Sequence, residues 1–188
     1  MKAKLRSDRL VYTGFFRLRQ LTVDVPRYDG LVQDSVVREV VERSDVAAAI
    51  LVDPDRDAVV LVEQFRAGPF AAGDDGWLID LVAGRIESGD TPEETIRREV
   101  AEEAGVACAD LCRLGHFYTA PHISSERVWL FAASVDSTGV SGTHGLAHEG
   151  EDIRPVVLPR AKAVELMEAS TLSLWAGVAL RWLAAQPR

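Results

Sequence analysis

The sequence predicts an α+β fold, a mixed sheet flanked by helices and preceded by an N-terminal antiparallel β region. Three observations lead there. Runs of β-branched and aromatic residues recur between turn signals from Leu10 to Val82. The period then switches to helical in one capped segment, and two further helical patterns close the chain. With 188 residues, 47% of them hydrophobic, the chain has enough apolar surface for one ordinary core, which excludes wholesale disorder.

Each element follows in order. Leu10–Val25 reads as strand and runs into Pro26-Arg27-Tyr28-Asp29-Gly30, whose Asp-Gly pair is a hairpin signal. Ser35–Val41 is then expected to return antiparallel. Val46–Val52 reads as a buried strand, and the polar turn Asp53–Asp57 joins it to a hairpin partner, Ala58–Glu63. A Gly/Pro-containing loop over Gly68–Gly76 precedes a short strand, Trp77–Val82. In Thr91-Pro92-Glu93-Glu94, threonine is placed to cap a helix, proline to occupy its first position and glutamate its third. Ile96, Val100 and Ala104 recur every four residues as a buried stripe, and Gly105 is the stop, so a helix is expected over Pro92–Ala104. Phe117–Tyr118, Arg127–Val135 and Ile153–Leu158 read as strands, with a Gly-containing loop at Asp136–Glu151. Pro159–Ala169 and Thr171–Ala184 read as helices, the Trp175–Leu183 stripe being core.

Charge narrows the function. With 21 basic and 29 acidic residues the net charge is −8, which argues against a nucleic-acid binder held by phosphate contacts. No apolar run reaches the roughly 20 residues that span a bilayer, and the charged N-terminus lacks the apolar core of a secretory signal. Cys108 and Cys112 suit unpaired packing residues of a reducing compartment, so a cytoplasmic protein is expected. His144 and His148 lie in a glycine-broken stretch and read as loop histidines. The acidic excess is localised: Gly84–Val106 and Glu149–Arg154 together hold ten of the 29 acids against four arginines.

On the capped helix, Glu99, Glu102 and Glu103 share one face. A helix gains nothing from three mutually repelling carboxylates, whereas Mg²⁺ or Mn²⁺ uses such oxygen clusters. A solvated acidic face is the plain alternative. The wider spacing decides between them. Gly84, five residues, Asp90, seven residues, then Arg98-Glu99-Val100-Ala101-Glu102-Glu103-Ala104-Gly105-Val106 resembles the signature of the Nudix hydrolases, with Asp90 standing where that family carries glutamate. Tyr12–Phe16, Glu63–Arg66, Ser125–Arg127, His144–Arg154 and Pro121 extend the resemblance to the ADP-ribose pyrophosphatase branch, where a glycine usually stands at His122.

The resemblance implies a Nudix-type α/β/α sandwich over residues 44–188, with residues 1–43 as a β region for dimerisation and substrate contact. It implies divalent-metal-dependent hydrolysis of ADP-ribose to AMP and ribose 5-phosphate. Glu99, Glu103, Glu151, the Ala83 carbonyl and Glu102 are the implied metal ligands, Mg²⁺ or Mn²⁺ the cofactor, and Arg98 the residue that orients the glutamates. Glu149 is the implied general base, with Glu102 and Arg98 completing the catalytic set. Phe15, Arg38, Arg66 and Glu126 are the implied substrate contacts, three of them (Phe15, Arg38, Glu126) reaching the site from the partner in a domain-swapped homodimer. The partner molecule is thus a small nucleoside diphosphate, with neither nucleic acid nor membrane involved. Two alternatives stay open: another nucleotide-sugar diphosphatase, such as one for GDP-mannose, and a Nudix-like domain that binds a nucleotide without hydrolysis.

Overall fold

The structure is a computed structural model of the full chain and describes every residue except Ala147, Glu149, Ser170 and Arg188. It comprises two compact units, residues 1–44 with 118–127, and residues 45–117 with 128–188.

The first unit is a three-stranded antiparallel sheet in the order β1 (Lys4–Thr13), β2 (Arg17–Pro26), β3 (Val32–Glu42). The single strand expected from Leu10 to Val25 is therefore two, turned back at Gly14–Phe16 so that Thr13 faces Arg17. The strand identity of Lys4–Arg9 comes from its pairing with β2, not from any apolar pattern, for every residue of β1 is exposed. The β2–β3 turn falls on Asp29-Gly30 as expected, with Gly30 at φ 82°, a left-handed value that glycine adopts without strain.

The second unit carries the main core. Its sheet runs β10 (Ile153–Pro159), β5 (Ala58–Phe65), β4 (Val46–Asp53), β9 (Arg127–Val135), β8 (Cys108–Tyr118), with β6 (Trp77–Asp80) pairing β5 and β7 (Val82–Arg85) pairing β4. The β4–β9 pair is parallel and the β4–β5 pair antiparallel, so the sheet is mixed. One face is covered by α2 (Pro92–Ala104) and the other by α3 (Arg160–Ala169) and α4 (Leu174–Ala184).

The two-residue period of the strands sorts their side chains between these layers. Ala47, Ala49 and Leu51 join Ile96, Val100 and Ala104 of α2, while Ala48 and Ile50 join Ala163, Ala179 and Leu183 on the opposite face. Burial on both faces explains why Val46–Val52 is apolar throughout rather than alternating. Each fully buried Leu, Ile or Val of this double core contributes roughly 1.5–3 kcal/mol.

Three further expectations are corrected. The Gly68–Gly76 loop contains a short helix, α1 (Ala67–Ala72), that has no side-chain cap and buries no residue. The strand Trp77–Val82 breaks at Leu81, because Asp80 pairs with Val62 of β5 whereas Val82 pairs with Ala49 of β4. The strand expected at Phe117–Tyr118 begins already at Cys108. Cys108 packs beside the α2 layer, but Cys112 is exposed. Among the described residues no helix is long and apolar enough to cross a membrane.

Candidate functional site

Helix α2 builds the site. It starts where Thr91 Oγ1 accepts from the Glu94 amide at 3.2 Å and the Glu94 carboxylate accepts from the Thr91 amide at 2.9 Å. It stops at Gly105, φ 69°, whose N–H reaches the Ala101 carbonyl. With both ends fixed, the apolar stripe pulls one face onto the sheet and takes two glutamates with it. Glu99 is 9% exposed and Glu103 only 2%.

Their setting is strand β7. Glu103 accepts the Ala83 N–H at 3.1 Å. Glu99 lies over Gly84, so closely that a Cβ there would stand 1.8 Å from its Oε1. Glycine is required at this position for space, and the carboxylate occupies the space that glycine leaves.

Charge follows geometry. Burial is the main force pushing the Glu103 pKa up to about 8; the Ala83 N–H opposes it, Glu99 adds to it, and the Arg66 charge opposes it. Burial likewise pushes Glu99 up to about 7, against the pull of Arg98 and with the help of Glu102 and Glu151. Arg98 bridges two of the acids, 2.8 Å from Glu99 and 2.9 Å from Glu102. Burial works against its charge, but the two carboxylates outweigh burial and its pKa is raised.

Glu151 belongs to the same electrostatic field, acting on both Glu99 and Glu103, and accepts the Leu146 N–H at 3.2 Å. Its loop is tied to the neighbouring structure where His144 pairs with Ile153 and where the Gly145 N–H reaches the Glu102 carbonyl. Glu149 lies outside the described residues. Among the described residues no three acidic, histidine or cysteine side chains close into a ready-made metal cage. The donor set still fits a hard divalent cation. Two buried carboxylates carry raised pKa values that Arg98 and Arg66 only partly offset, and oxygen is the ligand Mg²⁺ and Mn²⁺ select. Glu99 and Glu103 are the residues that could hold such an ion, with Glu102 next to Glu103 in sequence, Glu151 acting on both by its charge, and Ala83 beside Glu103 through its N–H.

The remaining expected contacts divide between the two units. Arg66 follows β5, with one guanidinium nitrogen 3.5 Å from Asp80. In the first unit, Phe15 is 92% exposed and meets Phe16 edge-on at 4.8 Å, so packing in a core does not account for it. Arg38 is exposed and donates to the Val37 carbonyl at 2.8 Å. Glu126 is buried, paired with Arg43 at 2.6 Å and accepting from Thr119 at 3.1 Å.

Two features were missed from sequence. One is the Ala83 N–H as a partner of Glu103, for which the side-chain sequence carries no signal. The other is Asp80, 1% exposed, whose signal was visible as a lone acid inside the apolar run Trp77–Val82.

Comparison with known proteins places the chain in a family. The NUDIX domain model matches residues 43–183. An ADP-ribose pyrophosphatase of Escherichia coli (strain K12) is 38% identical over 174 residues, covering 92% of this chain and 83% of that protein. A GDP-mannose pyrophosphatase of Enterobacter sp. (strain 638) is 32% identical over 174 residues, covering 92% of this chain and 89% of that protein. A solved structure described as an ADP compounds hydrolase shares the fold with a TM-score of 0.72 at 20% identity, over 98% of this chain and 92% of its own.

Proposed function

The chain belongs to the NUDIX family, and from that premise we propose that it hydrolyses the diphosphate of ADP-ribose to AMP and ribose 5-phosphate, with Mg²⁺ or Mn²⁺ as cofactor. The observation that carries this reading is the pair Glu99 and Glu103, buried on α2 beside β7 with both pKa values raised. Buried carboxylates with too few partners to hold their charge at its ordinary pKa are costly to a fold and useful to a cation site.

In this reading Glu99, Glu103, Glu151, Glu102 and the Ala83 carbonyl hold the cation. When bound, it neutralises the diphosphate and makes water a stronger acid. Arg98 keeps Glu99 and Glu102 in place by charge-assisted hydrogen bonds. Arg66 binds a diphosphate oxygen. Glu149 takes the proton of the attacking water, whose oxygen joins one phosphorus as the bridging P–O bond breaks.

The proposal extends to a cytoplasmic homodimer in which Phe15, Arg38 and Glu126 contact substrate. The exposure of all of β1, together with exposed Leu5, Leu10 and Tyr12, supports an intersubunit role for the first sheet, since a small sheet needs cover on one face. Two free cysteines agree with a reducing compartment. A second substrate reading, GDP-mannose, draws on the 32% identical relative.

The test is product analysis with ADP-ribose, GDP-mannose, UDP-glucose and NADH in Mg²⁺ and in Mn²⁺. AMP and ribose 5-phosphate formed fastest from ADP-ribose, and only with metal, is the expected result. Faster turnover of GDP-mannose would transfer the assignment to the second reading. Turnover of no substrate would end both.

A further inference from the structure

Asp80 is a buried acid outside the carboxylate cluster, and its two oxygens are unequally employed. Oδ1 accepts three neutral donors: its neighbour's amide at Leu81 (2.8 Å), the Ser173 hydroxyl (2.5 Å) and the Trp175 indole N–H (2.7 Å). Oδ2 is left for Arg66, which among the described residues is its one partner, at 3.5 Å. Three donors on a single oxygen fix the plane of the carboxylate and so the direction in which Oδ2 points.

The position of Asp80 gives that direction a purpose. It is the last residue of β6, paired with Val62 on β5, and the chain then crosses to β7. Arg66 stands just past the end of β5, where its own amide is held by the Gly76 carbonyl at 2.7 Å. Its guanidinium, about a third exposed, is near enough to Glu103 for its charge to act there. Arg66 thus has Asp80 within ion-pair distance and acts on Glu103 through its charge. Five N–H donors serve several acceptors at once, so Arg66 can keep Asp80 while turning another edge to an anion.

We propose that Asp80 is a positioning residue that holds the Arg66 guanidinium ready for the substrate diphosphate, and that Ser173 and Trp175 on the α4 side fix Asp80 for this task. The inference rests on the reading of Arg66 as a diphosphate contact. It predicts a binding effect separable from stability. D80N keeps an oxygen for the three neutral donors but loses the charge that holds Arg66.

The experiment is a double-mutant cycle in the full chain, with KM and kcat for ADP-ribose and Tm measured on each variant. D80N should raise KM about tenfold, as expected for loss of a charge-assisted contact, with a much smaller change in kcat. In the R66A background the same substitution should leave KM unchanged. S173A, which removes one of the three donors that fix Asp80, should lower Tm and raise KM by less than D80N does. D80E, which keeps the charge and serves if D80N does not fold, should stay within about threefold of wild-type KM. A KM unchanged in D80N, an undiminished effect of D80N in the R66A background, or a tenfold rise in folded D80E would overturn the proposal. Wild-type inactivity on every diphosphate would fail the functional reading alone. Asp80 is then judged from the ¹⁵N–¹H signal of the Arg66 guanidinium in the resting protein. That signal should be protected in wild type, weakened in S173A and lost in D80N; protection that persists in D80N overturns it.

Discussion

Two groups of buried acids in the second unit teach opposite lessons. Asp53 is 1% exposed, yet it accepts from the Ser137 hydroxyl and amide, from the Asp55 and Arg56 amides, and from the Arg56 guanidinium. Ser137 above all holds its pKa far below the usual carboxylate range. Glu103 is equally buried but has one amide donor, and its pKa rises to about 8. The residue chemistry is the same in both. What differs is whether the protein supplies the partners. Asp53 is a finished joint between the β4–β5 turn and the 137–139 turn; Glu99 and Glu103 are under-partnered for their burial, which is what the proposed cation site requires.

The comparison can be broken at its strongest point first. Glu103→Gln and Glu99→Gln should each lower kcat by about three decades, as loss of a central electrostatic element does, while the metal-free proteins gain stability at pH 8. Steady-state kinetics beside thermal melts checks both halves. Glu149→Gln should cost about two decades in kcat and leave Mg²⁺ binding intact; near wild-type turnover would remove Glu149 as base. Gly84→Ala forces a Cβ into the space of the Glu99 carboxylate, and the displaced ligand should lower kcat by about one to two decades, read from the same assay. Asp53→Ala, on the finished side of the comparison, should lower Tm by several degrees and leave kcat within about twofold. A large kcat effect there would show that the two acids are not distinct in kind.

How much of this was legible in the sequence depended on the range of the interactions. Helix α2 was readable to the residue because a capping box, an N1 proline and a left-handed glycine are local devices. The carboxylate face followed from spacing, and the roles proposed for its members rest on resemblance to a family signature. The break between β6 and β7 was not readable, because it is set by which neighbour, β5 or β4, each half pairs with. Strand β1 was hidden because Lys4–Arg9 is polar and gains its conformation from β2. Helix α1 escaped because six residues without a side-chain cap at the N-terminus leave no periodic trace. The employment of Asp80 could not be seen at all, since Ser173 and Trp175 lie 93 and 95 residues away along the chain.

The central claim, that the buried glutamates are held ready for a divalent cation, is tested most directly by thermal melts of wild type and Glu103→Gln with and without Mg²⁺ at pH 6 and pH 8.5. The ordinary pKa of these groups is 4.5, against about 7 for Glu99 and about 8 for Glu103 in the fold. Between those values the native protein keeps protons that the unfolded chain has already released. Metal-free stability is therefore present at low pH and falls as pH rises through that window. Mg²⁺ requires the ionised carboxylates, so the Tm it restores should be larger at pH 8.5 than at pH 6 and should largely vanish in Glu103→Gln. An equal Mg²⁺ shift at both pH values, or a full shift in Glu103→Gln, would contradict the account.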